Sequence, residues 1–539
     1  MLRTIKIKRI WMFYSPVVPP LNNASVKTAA SKTYSLGTSS ALAVGLGALM
    51  VAIVGGSVAT HTSTFAFAFI PIFIFAIVIY AMRDTTIALS IYFTYTALEG
   101  MFKYMSNFSQ AVYVVKPLLV GIILAGLFLS NRMNGMRLRK LPLAAIISLF
   151  IAWGLLEAFH PLGVGVSSGI LTALIWYIIP IGFYVIGFNV FQSSKRIVSM
   201  LLVIMAVCTV VSAFGFLQYN MGREWTVAHV PGYSNLRMNT WNGADSSGTH
   251  IAQFRPASTS ADEGFTQFWA QLGALIALAM MLLNNASLRS RIILAICFIV
   301  NVCGLLTGGS RMMLVVGVMQ LPLLFGLTST SPRALLRNLG LAAVVVGITW
   351  VAFSSVQSIS HGSIASRYGE TLANPLAKFG SDRGGFQGQG SWFLDFLGQH
   401  PLGIGYQRGT EGSWDATTKN ISVNRETQFA AISGDMGAPG LLLLLGIVAG
   451  ITIGGIRAVR ALKNPEFRII GAMLLLALMG YFIAFWAGQM LQAVGDYLWL
   501  FAALLFTLPR LERRMSSETV NSKPAVKVAG GDIPKKEAG

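Results

Sequence analysis

The sequence predicts an all-α, polytopic integral membrane protein of about 14 transmembrane helices, with one long, partly helical loop facing away from the cytoplasm. Three observations carry this. The chain is 54% hydrophobic and only 11% charged, where soluble domains are about one quarter charged. Its apolar runs repeatedly approach the roughly 20 residues that cross a bilayer. Basic residues collect in alternate connections between those runs, as they do on cytoplasmic loops.

The runs fall at 40–59, 64–82, 85–100, 111–130, 141–159, 167–188, 197–218, 265–284, 290–307, 311–328, 337–354, 438–456, 469–490 and 493–509. The third is the shortest. Residues 1–39 begin with Arg3, Lys6, Lys8 and Arg9 and become rich in Ser, Thr and Asn, which predicts a cytoplasmic N-terminal tail. About forty polar residues thus precede the first run, so that run is expected to stay as an anchor. With the amino terminus inside, the inner connections carry Arg83; Arg132, Arg137, Arg139 and Lys140; Lys195 and Arg196; Arg289 and Arg291; Arg333 and Arg337; Arg457, Arg460, Lys463 and Arg468; and then Arg510, Arg513 and Arg514. Losing the third run would invert everything after it and put basic loops outside. The membrane domain is read as 40–510, and 511–539 as a disordered cytoplasmic tail.

The net charge of +20 is this orientation charge, since it is spread between apolar runs and no nucleic-acid module is present. Cys208, Cys297 and Cys303 lie in apolar runs without metal or disulfide spacing. The six histidines lack ligand spacing, so no metal site is expected. No Walker-type loop argues for nucleotide-driven transport. No internal repeat is visible, which weakens an inverted-repeat transporter.

Residues 356–437 interrupt the apolar series. This stretch holds six basic residues, including Arg367, Arg408 and Arg425, and seven acidic ones, including Asp395, Glu426 and Asp435. It also carries the aromatic, glycine-rich run Ser391 to Tyr406. A loop this long is uncommon unless functional or disordered, and disordered segments are poor in aromatics. It therefore reads as a folded, water-facing element whose charge is balanced.

Three stretches bring charge to outward-facing helix starts. Thr307-Gly-Gly-Ser-Arg311 opens the tenth run, with Ser310 suited to an N-cap. A cation in the first helical turn opposes the helix dipole, and an arginine at membrane depth costs roughly 2.5–3.5 kcal/mol. Both penalties shrink if an anion is held by free backbone N–H groups and the guanidinium together. The plainer alternative is an interfacial anchor, or a salt bridge to Glu157 or Asp496. Phe254-Arg255-Pro-Ala-Ser-Thr-Ser-Ala261 repeats the arrangement before the eighth run. Asn424-Arg425-Glu426 leads through Asp435-Met-Gly437 into the twelfth, where Pro439 suits a first turn. Glu426 is a candidate general base, with a salt bridge as its alternative. Asp435 is expected to cap a helix or pair with an arginine. Glu99, Lys103, Lys116, Glu157, His160 and Asp496 also gather at outward ends. Such a concentration suits a polar substrate head, although packing salt bridges would look the same. Snorkelling is the plainer account of Lys116.

In this order and topology, Arg255-Pro-Ala-Ser-Thr-Ser, Thr-Gly-Gly-Ser-Arg311 and a long outer loop with His400-Pro-Leu-Gly-Ile-Gly405 resemble the O-antigen ligase and O-antigen polymerase superfamily of bacterial inner-membrane glycosyltransferases. The resemblance covers roughly residues 200–460. It implies a multi-pass protein of the inner membrane that takes a glycan on undecaprenyl diphosphate at the periplasmic face and transfers it to a hydroxyl acceptor, without metal or nucleotide cofactor. It implies Arg255 and Arg311 as a diphosphate clamp, with Arg367, Arg408, Arg425, His400, Tyr406 and Lys116 as substrate-binding candidates. Trp392, Phe393, Phe396 and Tyr406 offer stacking surfaces for sugars, or the loop's own small core. Membrane lipid, a chain-length regulator and a flippase are the partners it implies. Where ligases carry a histidine about ten residues before the acidic-x-Gly step, this chain has Glu426, which looks more like the polymerase branch. A ligase of the same superfamily, or a lipid-linked glycan flippase, remains the alternative.

Overall fold

The structure, a computed structural model, describes residues 36–133, 139–163, 165–236, 241–244, 250–260, 263–283, 287–308, 310–329, 395–406, 427–486, 488 and 490–521, with isolated positions between 333 and 354. Within these residues the chain is almost wholly helical. The helices are α1 (Leu36–Thr60), α2 (Ser63–Phe67), α3 (Phe69–Arg83), α4 (Thr85–Met105), α5 (Gln110–Met133), α6 (Ala144–Glu157), α7 (Val166–Ala173), α8 (Ile179–Val190), α9 (Ser194–His229), α10 (Glu263–Met281), α11 (Leu288–Thr307), α12 (Arg311–Thr328), α13 (Gln428–Ala461), α14 (Pro465–Ala484) and α15 (Met490–Asn521). A π-helical turn, Leu174–Ile178, joins α7 to α8. One departure from an all-α chain is a small antiparallel hairpin in the loop after α9, β1 (Trp241–Ala244) with β2 (His250–Gln253), which pairs Trp241 with Gln253.

Among the described residues, nine helical stretches are long and apolar enough to cross a membrane. Ala144–Glu157, Thr266–Met281 and Met312–Thr328 are shorter apolar helices. This is compatible with a multi-pass membrane protein. Each predicted run coincides with helix, except the eleventh (337–354), which lies outside the continuously described residues. The start of the tail read from residue 511 is helical, since α15 continues to Asn521.

The third run is α4, 21 residues long, or about 32 Å at 1.5 Å per residue. It is absent from the nine apolar stretches because it is lined with Ser, Thr and Tyr, and it is buried along nearly its whole length. Ser90, Thr94 and Thr96 hydroxyls return to backbone carbonyls three or four residues back, and so need no water. The share of buried residues separates interior from periphery: 83% in the apolar 18-residue window of Val494–Ser517 and 78% in that of Pro465–Ala484, against 22% in that of Ser63–Arg83.

Short connections fix the two ends of the bundle. At or just after the connections from α3 to α4, α8 to α9, α10 to α11 and α13 to α14 stand Arg83, Lys195 and Arg196, Arg289 and Arg291, and Lys463. Asp84 caps α4 by accepting from Thr86 N at 2.9 Å and lies 4.0 Å from Arg196. Arg468 Nε donates to Leu327 O at 3.1 Å, tying α14 to the end of α12. The connections after α4, α6, α11 and α14 lie at the opposite end, together with the Arg255 segment and the start of α12.

Candidate functional site

The first turns of α10 are a hub. Thr266 Oγ1 donates to Ala257 O at 2.7 Å, and the Gln267 side-chain oxygen accepts from Ser310 N at 2.5 Å. Gln267 Nε2 also donates to Leu305 O at 3.3 Å. Two consecutive residues of one helix thus fasten the segment that carries Arg255 and the turn that opens on Arg311. The next residue, Phe268, packs its ring 4.5 Å from that of Tyr481 near the end of α14. One turn further on, Phe485 O accepts from Gln428 N at 2.9 Å, and the Gln428 side chain accepts from Leu491 N at 2.8 Å.

The segment after Arg255 is pinned on every side. Met101 N donates to Thr259 O at 2.8 Å and Thr259 Oγ1 donates to Ala97 O at 2.5 Å. Ser258 N donates to Gln218 Oε1 at 2.8 Å, and Ser258 Oγ to Val211 O at 2.6 Å. Tyr233 OH accepts from Ala257 N at 3.0 Å. Ser258 holds a left-handed backbone (φ 54°), uncommon for a residue with a side chain. These bonds are what keep it there. Arg255 itself is half-buried.

Ser310 caps α12 as expected: its hydroxyl accepts from Met313 N at 3.5 Å, and its backbone is extended (φ −84°, ψ 115°). Arg311 is the first residue of that helix, and its side chain is outside the described atoms. Arg367, Arg408, Arg425 and Glu426 lie outside the described residues, as do Trp392 and Phe393. Glu426 stands two positions before Gln428.

His400 and Tyr406 bound a segment laid across a break in α13. Gly437 adopts φ 63°, ψ −162°, a region essentially reserved for glycine, and divides the helix in two. Pro439 then opens the second half, where the twelfth run was expected to begin. Ala438 N donates to Pro401 O at 2.8 Å and Ile404 N to Gly434 O at 2.9 Å. Gly403 (φ 85°) lies so close that a Cβ there would meet Gly437 N at 2.6 Å. Tyr406 is buried, and its hydroxyl donates to Gly154 O at 2.8 Å. Burial pushes the Tyr406 phenol up, helped by Asp435 and Glu157. Phe396 is also buried, with its ring 5.0 Å from His400. Beside this segment, burial and then the charge of His400 hold the His160 ring below its usual range.

Asp435 is not the cap of α13, one of the two roles expected of it. The cap of α13 is Thr427, whose hydroxyl accepts from Ala430 N at 3.1 Å. Asp435 sits inside the helix, 1% exposed, and accepts from Tyr177 OH at 3.1 Å. The π turn sets Tyr177 facing it.

Lys116 belongs to a buried ion network. Its Nζ lies 2.9 Å from Asp496 Oδ2 and 3.8 Å from Glu99 Oε2. Glu99 also pairs with Lys103 at 3.1 Å, and Tyr92 OH donates to Asp496 at 2.6 Å. Two lysines face two carboxylates, joining α4, α5 and α15. Asp496 is thereby paired with a lysine of α5.

Sequence reasoning missed Thr266, Gln267, Tyr177 and Gln428. The legible signal was the glutamines, which are costly in an apolar helix unless bonded. Gln271 and Gln320, also inside apolar helices, bond each other, and Gln320 Nε2 donates to Leu476 O at 2.9 Å.

No protein-family model matches the chain, and no curated protein matches it. Among the described residues no group of three or more His, Cys, Asp or Glu could hold a metal ion.

Proposed function

We propose that the protein polymerises oligosaccharide repeat units carried on undecaprenyl diphosphate, at the outer face of a bacterial inner membrane. The observation that carries this reading is the shared fastening of the Arg255 segment and the Arg311 helix start to Thr266 and Gln267. Consecutive Cα atoms are 3.8 Å apart, so two arginine-bearing segments are referenced to one helical turn. A diphosphate leaving group needs fixed positive charge at the atoms where negative charge develops. In the reaction, the acceptor hydroxyl oxygen forms a bond to the anomeric carbon of the donor as the bond to the diphosphate oxygen breaks. The departing lipid diphosphate keeps the electron pair, neutralised by Arg255 and Arg311. Glu426 takes the hydroxyl proton or orients the hydroxyl that loses it. Neither metal nor nucleotide is required.

The test is Arg311→Gln and Arg255→Gln in membranes supplied with lipid-linked repeat units. Each substitution is expected to abolish chain growth and leave single repeats on the carrier. Intact polymer with lost lipid translocation would mean a flippase. Long chains accumulating undelivered on the carrier in a deletion strain would mean a ligase.

A further inference from the structure

The turn between α1 and α2 meets the last turn of α9, and each carries a histidine. The two long helices are packed together, so close that a Cβ at Gly47 would lie 3.7 Å from that of Ala206. His61 is exposed and holds a left-handed backbone (φ 53°). The hydroxyls of Thr60 and Thr62, on either side of it, lie 3.1 Å apart, and Thr60 Oγ1 donates to Gly56 O at 2.8 Å. Thr62 is therefore the donor between the two hydroxyls, and the turn is braced around His61.

His229 is half-buried, and its ring is fixed twice. It stacks on Trp225, with the centroids 4.9 Å apart and the planes 15° from parallel. Its Nδ1 lies 2.9 Å from Trp225 O. A carbonyl only accepts, so Nδ1 carries the proton and the lone pair of the neutral ring is on Nε2. Metal-ligating histidines are oriented in this way: the ring N–H that does not face the ion donates to a carbonyl, a carboxylate or water.

The rings of His61 and His229 have centroids 5.3 Å apart and planes inclined at 50°. Imidazole nitrogens bind zinc at about 2.0–2.1 Å, which puts the ion roughly 3.2 Å from each ring centroid. Two rings on one ion at the tetrahedral angle then have centroids roughly 5.2 Å apart. The pair has that spacing.

We propose that His61 and His229 bind one divalent transition-metal ion of the zinc and copper class, with water in the remaining positions. Neutral imidazole is a ligand that suits such ions. The ion fastens the α1–α2 turn to the end of α9. From there the chain runs through Val230, whose N–H donates to Thr226 O, to Tyr233, whose hydroxyl accepts from Ala257 N. The site thus braces the stem of the loop that leads to the Arg255 segment. It is separate from the reaction proposed above, which uses neither histidine.

The test uses purified, untagged full-length protein. The first probe is Cu2+ alone, read by electron paramagnetic resonance. Nitrogen couplings from two imidazoles are expected in the parent, and from one in His61→Gln and in His229→Gln. The second probe is Zn2+ in a calorimetric titration, where one site is expected and either substitution weakens it at least about tenfold. His160→Gln/His400→Gln is expected to leave both readings unchanged. Absence of binding, coupling to a single imidazole in the parent, a zinc affinity that withstands either substitution, or loss of binding in His160→Gln/His400→Gln would each overturn the site. His61 is exposed in a turn, so His61→Gln decides the matter even if His229→Gln does not fold.

Discussion

Replacing Lys116 with Met should destabilise the protein far more than replacing Lys116 and Asp496 together. Lys116 Nζ is 2.9 Å from Asp496 and 3.8 Å from Glu99. When it is removed, Glu99 keeps Lys103 at 3.1 Å. Asp496, 1% exposed, is left with the uncharged Tyr92 hydroxyl at 2.6 Å in place of a cation. Breaking one side of a buried pair costs about 3–5 kcal/mol, because the remaining charge is uncompensated. Lys116→Met alone should therefore fall in that range. Lys116→Met/Asp496→Asn removes both charges, and the amide oxygen of the new side chain can still accept from Tyr92, so the double variant should recover all but about 1–2 kcal/mol of the stability. The assay is equilibrium unfolding of purified protein in mixed micelles across a denaturing-detergent series, followed by tryptophan fluorescence. Equal losses in the single and double variants, or a loss below about 1 kcal/mol in the single, would refute the network as a buried interaction. Unchanged stability with lost polymer formation would instead assign Lys116 to the substrate.

Gly437→Ala should cost at least about 2–3 kcal/mol, from a backbone region closed to alanine and a Cβ only 2.2 Å from the Leu402 carbonyl carbon; the same unfolding series measures it, and a neutral result would refute the close crossing of the segment over the helix break. Gln267→Ala should leave Leu305 O and Ser310 N without their side-chain partner, at about 1–3 kcal/mol for each buried group, and should lower polymer formation more than its stability loss explains; polymer assays at matched folded protein check this. His160, held below its ordinary value near 6.5 by burial and His400, contributes stability that is present above that value and lost as pH falls through its folded-state value; His160→Gln should flatten the acid side of a stability–pH curve, and an unchanged curve would count against it.

Much of this fold is legible in the sequence because apolar run length and basic loops are local signals. Ser310 as cap and Pro439 as the start of a helical half follow from residue type alone. The helix start at Gln428 does not: Gly437 breaks α13 without ending it, so the charge at 435 that looked like a cap lies within a longer helix. Arg255 and Arg311 stood out because each opposes its surroundings alone. The contacts that bring their segments to one turn are made by Thr266 and Gln267, uncharged residues whose partners lie from nine to more than forty positions away in sequence. Pairing across that distance leaves no trace in a periodicity. The bond from Tyr177 to Asp435 was hidden for the same reason, although Asp435 was noted singly.

The polar character of α4 bears on how the chain is made. A helix with this many hydroxyls, and with Glu99 and Lys103 near one end, partitions poorly into lipid by itself. It follows α3 after a single residue, Asp84, so the two can enter the bilayer as a hairpin with the apolar partner leading. The i,i+4 pair of Glu99 and Lys103 is available as soon as α4 is helical, and the cation of α5 joins it next. Asp496 is on α15, which leaves the ribosome long after α5. Until that helix arrives, the partner of the Lys116 ammonium among the described residues is the Glu99 carboxylate that Lys103 shares, so α15 completes the ion network, and a chain truncated before α15 would leave Lys116 without its 2.9 Å partner.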